Sequence, residues 1–308
     1  MVTMIQQKQP RLPISILIRS TYKHGGCMIT IGKIPKKLQR FFTPVKKQVS
    51  EHVYGYFWSM ILSICISHGC TIDRLVKSLR NSTHRTNHCD FLWRSDWNES
   101  IIMQQIALDM LRSLFTKKDK HLFFIIDDTQ TLKRAKKMEA VGKLHHHATG
   151  KYGMGHTILK VCLFYRGVTI PWASLLYIKQ EHAGTLNIPF RKLTELAGQA
   201  IREAALPETF KVMVLFDAFY LCPTVVNACK EREWHYIGVG KSNRWFTVAS
   251  TKRKLAKYGK NVLYNSGSWC RITGLRKTNT YRLAERIGIL NKLGTCLLYT
   301  SPSPRDRH

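Results

Sequence analysis

One short stretch, residues 123–129 (FFIIDDT), constrains the fold of this chain more than any other. Large apolar residues follow a polar run and stop at Asp127 and Asp128, which is typical of a buried strand whose end reaches solvent. Neighbouring strands hold the backbone at a strand end, and α/β sheets bind ligands in the crevice at such ends. We therefore expect the two carboxylates to be both fixed and reachable.

A second stretch repeats the pattern. Residues 212–216 (VMVLF) form another apolar run, and this run ends at Asp217. Two buried strands that each deliver an aspartate to the same edge of one sheet would bring two hard oxygen ligands together. Magnesium and manganese ions prefer such ligands, so the sequence favours a divalent-metal site that contains Asp127 and Asp217.

Net charge indicates the class of partner. The 308 residues include 49 Lys and Arg against 19 Asp and Glu, which gives a formal net charge of +30. Residues 1–50 contain ten of these cations and no acid, and residues 241–292 contain thirteen with Glu285 as the only acid. Cations that meet phosphates release condensed counterions, so this distribution favours nucleic-acid binding over a ribosome-like structural role or a merely soluble basic surface.

Cysteine and histidine spacing raises the alternative of a zinc site. The nine cysteines are scattered, as in a reducing cytosol, but Cys65, Cys70, His84 and His88 are spaced like zinc-finger ligands. Because Cys65 lies in residues 57–66, an apolar run typical of a core helix, we favour a structural role for these side chains. That run is too short to span a membrane and the N-terminus lacks the layout of a signal peptide, so we expect a soluble, cytoplasmic protein.

The order of the predicted elements defines a fold class. Helical periodicity, with a capped start at Thr71 and an amphipathic run at 101–114, precedes the strand that ends at Asp127. The elements expected after that strand are a Gly-rich cationic loop at 133–156, a hairpin of strands 157–165 and 168–177 turning at Arg166-Gly167, a helix at 189–204, the Asp217 strand, a helix at 224–233 and a strand at 234–239. This order is that of an α/β, ribonuclease H-like mixed sheet flanked by helices, in which the first and fourth strands are neighbours.

Composition divides the chain into segments. The segments are a basic arm with little packed structure at 1–48, a helical and DNA-binding module at 49–118, the ribonuclease H-like core at 119–240, a small basic β-rich insertion at 241–295, and a terminal piece at 296–308. Within the helical module, the cationic loop at 78–88 either lies on a DNA backbone or is a solvated turn, and the sequence leaves both open. We assign DNA binding to Arg80, Arg85, Lys241, Asn243, Arg244, Lys252, Arg253 and Lys254.

Three short motifs carry a resemblance to a known family. They are residues 126–129 (IDDT), 216–220 (FDAFY) and 240–244 (GKSNR), in this order and strand context. Over roughly residues 50–295 the chain resembles the catalytic core of bacterial insertion-sequence DDE transposases, those with a β insertion before the last catalytic helix. The resemblance implies cut-and-paste transposition of DNA, a two-metal site for Mg²⁺ or Mn²⁺, a synaptic homodimer and a place at the bacterial nucleoid.

The resemblance also assigns roles to the acids. Asp127 matches the first acid of the family pattern, which is Asp, any residue, then Thr or Ser, and Asp217 matches the second. Asp128 is the alternative to Asp127, since alternation along a strand lets only one of the pair face the metal. The structural alternative for each aspartate is a helix N-cap or a loop acid.

A third acid, a glutamate, is harder to place. Glu285 precedes Lys292 by seven residues, two helical turns, which resembles the final Glu and Lys of the family. The positions four and seven residues before Glu285 hold Tyr281 and Thr278, where the family pattern has Arg and Tyr. The resemblance therefore makes Glu285 the candidate third acid, on an expected helix.

The end of the chain suggests why the third acid is hard to place. Residues 296–306 (CLLYTSPSPRD) resemble the translation of a sequencing-library adapter, and such segments are excluded from fold reasoning. We expect that the natural chain continues past about residue 295 with the last catalytic segment, so that the chain as given binds DNA without cutting it. Two other functions stay open: a non-catalytic DNA-binding protein derived from a transposase, and a structure-specific ribonuclease H-like nuclease.

Overall fold

The computed structural model of the chain describes residues 34, 36–67, 71–77, 84–133, 138–146, 149–273 and 278–300. The chain divides into two compact units, one within Pro10–Met110 and one that contains Leu111–His308. The division falls inside a helix, earlier than the boundary at residue 118 that the sequence suggests. Within the part of the chain described, no helix has both the length and the apolar character needed to cross a membrane.

The first unit is helical. Its helices are α1 Lys36–Phe41, α2 Thr43–Lys46, α3 Glu51–Ser67, α4 Ile72–Lys77, α5 Arg85–Arg94 and α6 Glu99–Leu114, whose last turn belongs to the second unit. Aromatic rings dominate its core, where Tyr54, Phe57 and Trp58 of α3 are buried together with Phe91 of α5. Because large rings bury much apolar surface, this cluster stabilises the packing of the helices.

The prediction of an unpacked basic arm at 1–48 is wrong for residues 36–46. These residues form α1 and α2, and Val45 is buried in the aromatic core. The Phe42 ring lies edge-on to Phe57 and Trp58, with ring centroids 5.1 and 5.4 Å apart. The reason is that Leu38 of α1, Phe42 between the helices and Val45 of α2 are apolar, and all three pack in the aromatic core. The rest of the arm, residues 1–33 and 35, lies outside the described residues.

The side chains with zinc-finger spacing have separate roles in the helices. His84 is the N-cap of α5, and its ring nitrogen accepts a hydrogen bond from the Thr86 N–H at 3.3 Å. His88 is buried with its ring edge-on to Tyr56, whereas Cys65 is exposed on α3. The fourth member, Cys70, lies outside the described residues. The capped start expected at Thr71 is confirmed, because its hydroxyl accepts from the Arg74 N–H.

The second unit is built on a mixed sheet. Its strands are β1 His121–Leu132, β2 Gly142–His146, β3 Lys151–Tyr165, β4 Val168–Tyr177, β5 Lys211–Phe216 and β6 His235–Gly238. At its centre β1 pairs antiparallel with β3 and parallel with β5, and β5 pairs parallel with β6. Both β2 and β4 pair with the other edge of β3. The fold is a mixed sheet flanked by helices, consistent with a ribonuclease H-like core, as the sequence predicts.

The region expected as a loop at 133–156 contains a strand instead. β2 pairs with the first residues of β3, from Gly142 opposite Gly155 to His146 opposite Lys151. Histidine and glycine hide the apolar alternation that identifies most strands, which explains the wrong prediction. The hairpin of β3 and β4 is confirmed, and its turn uses Arg166 and Gly167 at φ of 48° and 82°. Positive φ at both positions suits a type I′ turn.

Three helices accompany this sheet: α7 Gln180–Thr185, α8 Leu193–Arg202 and α9 Pro223–Glu231. Predicted helices correspond to α8 and α9, but α8 begins later than residue 189 and α7 is not expected from the sequence. The start of α8 is fixed by Glu195, whose carboxylate accepts from the Lys192 N–H at 2.8 Å. An ion pair of 2.5 Å between Arg202 and Glu231 joins the ends of α8 and α9.

A second sheet follows β6, at the place expected for a β-rich insertion. Its elements are β7 Trp245–Val248, β8 Thr251–Lys254, α10 Leu255–Ser266, β9 Ser268–Thr273, β10 Thr278–Leu290 and β11 Gly294–Thr300. The strand order is β11-β10-β7-β8, and β9 pairs with β10. The sequence predicts that the insertion ends at residue 295, but the second sheet extends further, because residues 296–300 belong to β11 and pair with β10. Residues 301–308 lie outside the described residues.

Gly238 provides a test of packing next to Asp217. A Cβ at this position would stand 2.4 Å from a ring carbon of buried Phe216 and 3.1 Å from Leu221. We predict that Gly238→Ala lowers the free energy of unfolding by about 1–3 kcal/mol, because Phe216 must leave its packed position. Chemical denaturation measures the change.

Gly184→Ala in α7 is the matched control, since a Cβ at that position would have nothing within 4 Å. It is expected to leave stability unchanged or to raise it by up to about 1 kcal/mol. Equal effects of the two substitutions would contradict the packing at Gly238.

Candidate two-carboxylate active site

The register between β1 and β5 brings two aspartates together. The parallel ladder runs from His121 opposite Lys211 to Ile126 opposite Phe216. The next residue along each chain is an aspartate, so extension of this register by one step puts Asp127 opposite Asp217, which directly follows the end of β5. Residues at matching positions of a parallel pair point to the same face of the sheet, so the two side chains leave the same face at the ends of adjacent strands.

Asp127 lies in an environment that disfavours its charge. Its Oδ1 accepts the backbone N–H of Asp128 at 2.9 Å, and the side chain is exposed at the end of the buried part of β1. Protein atoms still remove part of its hydration, and this desolvation raises the pKa of Asp127 above its ordinary value. The charges of Asp128 and Asp217 raise the pKa further, which places both carboxylates within electrostatic reach.

Asp217 is held by the turn that follows β5. Its Oδ1 accepts the backbone N–H groups of Phe219 at 2.9 Å and Tyr220 at 3.3 Å. The side chain therefore acts as an Asx-type cap of this turn and keeps one orientation. The described hydrogen bonds of Asp127 and Asp217 all end on Oδ1, so one oxygen of each carboxylate stays available. These two oxygens are hard, anionic ligands at the same strand ends.

Asp128 is engaged elsewhere. Alternation along β1 turns it to the face of Phe124 and Ile126, both of which are buried, and away from the face of Asp127. Its Oδ1 accepts the phenol O–H of Tyr220 at 2.9 Å. Burial of Tyr220 and the adjacent charge of Asp128 raise the pKa of the phenol well above its usual range, so Tyr220 stays a donor. This geometry favours Asp127 over Asp128 as the acid beside Asp217.

A cation lies in the same row as the two acids. Asp127 is opposite Lys160 of β3, and Lys160 is opposite Ser174 of β4. Cross-strand partners share a face, so Ser174, Lys160, Asp127 and Asp217 form one row across four strands. The Lys160 ammonium donates to the Ser174 hydroxyl at 2.8 Å. The row thus combines a metal-type carboxylate pair with a positive charge that suits a phosphate.

The expected helix around Glu285 is wrong. Glu285 belongs to β10, where it is exposed and lies opposite Tyr299 of β11. Lys292 follows the strand in a turn at φ 68°, so the two residues do not share a helical face. The physical reason is that Ala284, Gly288 and Leu290 are buried on one side of the strand while Glu285, Ile287 and Ile289 between them are exposed, and residues 284–290 pair with β11. The described contacts do not join Glu285 to either aspartate.

The residues assigned to DNA binding are distributed over both units. Arg85 is exposed at the start of α5, and Arg80 lies outside the described residues. Lys241 and Asn243 are exposed in the loop between β6 and β7, and Lys252, Arg253 and Lys254 are exposed on β8, an edge strand. The ammonium groups of Lys252 and Lys254 lie 5.4 and 5.9 Å from the ring centroid of half-exposed Trp245. The strand presents three cations in a row to solvent.

Arg244 differs from the other assigned cations. Its guanidinium donates to the backbone carbonyl of Leu221, in the loop that carries Asp217 and Tyr220. The residue is only partly exposed, so this contact gives it a structural role that the sequence does not indicate. Arg244 therefore connects the start of the second sheet to the loop that follows β5 and contains Asp217.

Sequence reasoning missed two residues of the site. Tyr220 is part of the FDAFY motif, but its bond to Asp128 crosses 92 positions and has no local signal. Lys160 could have been found, because a lysine within the apolar strand of residues 157–165 is unusual and falls opposite Asp127 once the strands are paired. Both depend on strand register, which apolar patterning alone does not give.

These features define a class of protein: a ribonuclease H-like fold with acids at the ends of adjacent central strands suits metal-dependent phosphoryl transfer. A protein-family model described as DDE superfamily endonuclease matches residues 65–266, and the chain belongs to this family. The family is of the transposase and nuclease type, implies a DNA substrate and generally uses divalent metal ions. The comparison with curated proteins returned no match.

The carboxylates of Asp127 and Asp217 suit a divalent metal ion, but they supply only part of its ligands. Among the residues that the structure describes, no group of three or more His, Cys, Asp or Glu side chains is placed to hold a metal ion. Asp127 and Asp217 together offer two carboxylate oxygens without a described hydrogen bond. Magnesium sites that use one or two carboxylates complete their shell with water and substrate phosphates.

The raised pKa of Asp127 leads to a prediction about stability without metal. A folded-state pKa above the unfolded value means that the charged carboxylate destabilises the fold at neutral pH. We predict that Asp127→Asn has a higher melting temperature than the wild type at pH 7, and that the difference shrinks as the pH falls toward the unfolded-state pKa of about 4. Adding Mg²⁺ should reduce or reverse this difference in melting temperature, because the ion binds the wild-type carboxylates and stabilises the wild type.

Glu208→Gln, which removes an exposed acid in the turn before β5, controls for the change in net charge. An equal rise in melting temperature in this control would contradict the environment assigned to Asp127. A difference between Asp127→Asn and the wild type that grows at low pH would also contradict it.

Proposed function

We propose that the protein is a DNA transposase that catalyses metal-dependent cleavage and strand transfer at the ends of an insertion sequence. The observation that carries this proposal is the register of β1 and β5, whose last pair, Ile126 opposite Phe216, directly precedes Asp127 and Asp217. Membership of the DDE superfamily endonucleases supports it, since that family joins this fold to DNA as substrate. Mg²⁺ or Mn²⁺ is the cofactor that the carboxylates fit.

The residues of the row divide the chemistry between them. Asp127 and Asp217 would hold two divalent ions, which when bound stabilise the attacking and leaving oxygens of an in-line displacement at phosphorus. In the first reaction water attacks the phosphodiester, the bond to the 3′ oxygen breaks and a 3′ hydroxyl is freed. In the second reaction that hydroxyl attacks a phosphodiester of target DNA, so that a bond from its oxygen to phosphorus forms, the bond from this phosphorus to the target's own 3′ oxygen breaks, and a 3′ hydroxyl is freed on the target. Lys160 lies where its ammonium can leave Ser174 and meet a non-bridging phosphate oxygen.

Basic surfaces would hold the DNA around this site. Lys252, Arg253 and Lys254 form a cationic edge on β8, and Lys241 and Asn243 are exposed in the loop that leads to it. Each cation that neutralises a phosphate adds salt-sensitive affinity that does not depend on base sequence. A homodimer that pairs two transposon ends and a location at the bacterial nucleoid belong to this proposal through the family resemblance.

A second candidate is a DNA-binding protein that has kept the core and lost the chemistry. The observation that favours it is that, among the described residues, no group of three or more His, Cys, Asp or Glu side chains is placed to hold a metal ion. The two candidates differ in one property. A transposase nicks DNA in Mg²⁺ through its aspartates, whereas a binding protein does not.

We predict that in the full-length protein Asp127→Asn and Asp217→Asn each reduce Mg²⁺-dependent nicking by at least about 100-fold, since loss of a metal ligand removes most of the charge stabilisation. The substrate is a plasmid that carries the DNA flanking the gene on both sides, so that the ends of the element are present. Gel electrophoresis of the nicked product measures the rate.

DNA affinity measured without Mg²⁺ should stay within about twofold of the wild type in the same variants, because neither aspartate donates to phosphate. Glu208→Gln should nick at the wild-type rate. Wild-type protein that binds this plasmid and never nicks it would establish the second candidate, and nicking unchanged by both substitutions would exclude the site.

Replacing Lys252, Arg253 and Lys254 together by alanine should weaken binding of duplex DNA. We expect the slope of log K against log salt concentration to fall by about 0.9 for each phosphate that the variant no longer neutralises. Fluorescence anisotropy at several salt concentrations measures this slope. The control replaces Lys117, Lys118 and Lys120, which are exposed before β1 and change the net charge by the same amount. An equal fall in slope in both triple variants would mean that β8 makes no specific contact with DNA.

A further inference from the structure

Tyr220 contacts both strand ends that carry acids. Its phenol O–H donates to Asp128 at 2.9 Å, and its backbone N–H donates to Asp217 at 3.3 Å. The side chain is 0% exposed, so these contacts are made in the protein interior. No contact of this kind is needed to form the sheet, because β1 and β5 already pair through their backbones.

We propose that Tyr220 is a positioning residue that fixes the separation and orientation of the Asp127 and Asp217 carboxylates for binding of divalent metal ions. The inference rests on the proposed function and adds to it a residue outside the metal-binding pair. The chemical class of the ligand is a hard divalent cation such as Mg²⁺ or Mn²⁺.

A continuous set of hydrogen bonds runs from one acid to the other. Asp127 Oδ1 accepts the N–H of Asp128 at 2.9 Å, Asp128 Oδ1 accepts the phenol of Tyr220, and the N–H of Tyr220 donates to Asp217 Oδ1. Rotation of either metal-binding carboxylate therefore strains a bond of this set. In both acids the set occupies Oδ1 and leaves the second oxygen available.

The electrostatics of the cluster make the phenol effective. Three carboxylates lie close enough to affect one another, and unbalanced repulsion would push the two strand ends apart. The phenol O–H of buried Tyr220 donates to Asp128 at 2.9 Å and so places a hydrogen-bond donor beside that carboxylate. A neutral donor at this position stabilises the Asp128 charge without competing with the metal for Asp127 or Asp217.

This arrangement also gives Asp128 a role. Its carboxylate faces the side of the sheet where Phe124, Ile126 and Tyr220 are buried, so it serves as the acceptor that connects Tyr220 to β1. An asparagine keeps a carbonyl acceptor for the phenol, whereas an alanine does not. The two substitutions at Asp128 therefore separate the acceptor role from a role as metal ligand.

The test compares two tyrosines that lose the same atom. Tyr220→Phe removes the phenol beside the acids. Tyr165→Phe removes a phenol that is also 0% exposed but lies before the start of β1, where it donates to the Asp119 carbonyl at 2.7 Å and accepts the Thr116 N–H at 3.2 Å. Thermal unfolding of both full-length variants measures the cost of losing a buried hydrogen bond. Binding of Mn²⁺ to the protein without DNA, measured by electron paramagnetic resonance, reports on the carboxylate pair.

We expect Tyr220→Phe to weaken Mn²⁺ binding by about 10-fold or more, the usual effect of removing a group that orients metal ligands. Tyr165→Phe should lower the melting temperature at least as much, because its phenol makes two hydrogen bonds, and should leave Mn²⁺ affinity unchanged. Asp128→Ala should resemble Tyr220→Phe, Asp128→Asn should stay near the wild type, and the double variant Tyr220→Phe with Asp128→Ala should be no weaker than either single variant.

The outcomes separate this inference from the proposed function. Wild-type protein that binds Mn²⁺ with unchanged affinity in Tyr220→Phe would overturn the inference and leave the transposase proposal standing. Loss of Mn²⁺ binding in Asp128→Asn equal to that in Asp127→Asn would also overturn it, because Asp128 would then be a ligand. Wild-type protein that neither binds Mn²⁺ nor nicks DNA would overturn both.

Discussion

The parallel pairing of β1 with β5 is the constraint on which the candidate site depends. Side chains alternate between the faces of a strand, so a shift of one residue would exchange the faces of Asp127 and Asp128. Burial of Leu122, Phe124 and Ile126 prevents that shift, since it would move three large side chains out of the core. The apolar residues before the acids thus determine which acid meets Asp217.

Contacts from two sides hold the loop after β5. Arg244, at the start of the second sheet, donates to the carbonyl of Leu221. On the sheet side, Gly238 lets the Phe216 ring lie against β6. The second sheet is therefore connected to the acids through their supporting loop, in addition to presenting cations on β8. A change in this sheet that moves Arg244 would act on Asp217 through the backbone.

Sequence reasoning reached the central strands and their acids because long apolar runs that end at carboxylates are strong local signals. It failed where pairing decides the structure. β2 lacks an apolar run, Glu285 has helical spacing to Lys292 but lies in a strand, and residues 36–46 pack although their charge suggested a free arm. The bond from Tyr220 to Asp128 depends on the register of distant strands, and no pattern near either residue encodes register.

The number of available oxygens has a consequence for how this chain would work in a cell. Two carboxylates leave most of the coordination shell of a divalent ion to water, so the ion is held weakly until phosphate oxygens arrive. Binding linkage is reciprocal. DNA that supplies those oxygens raises the affinity of the protein for the ion, and the ion raises the affinity for DNA by the same factor. Such an enzyme would be inactive when free and would become active only when the divalent ion and DNA are bound together.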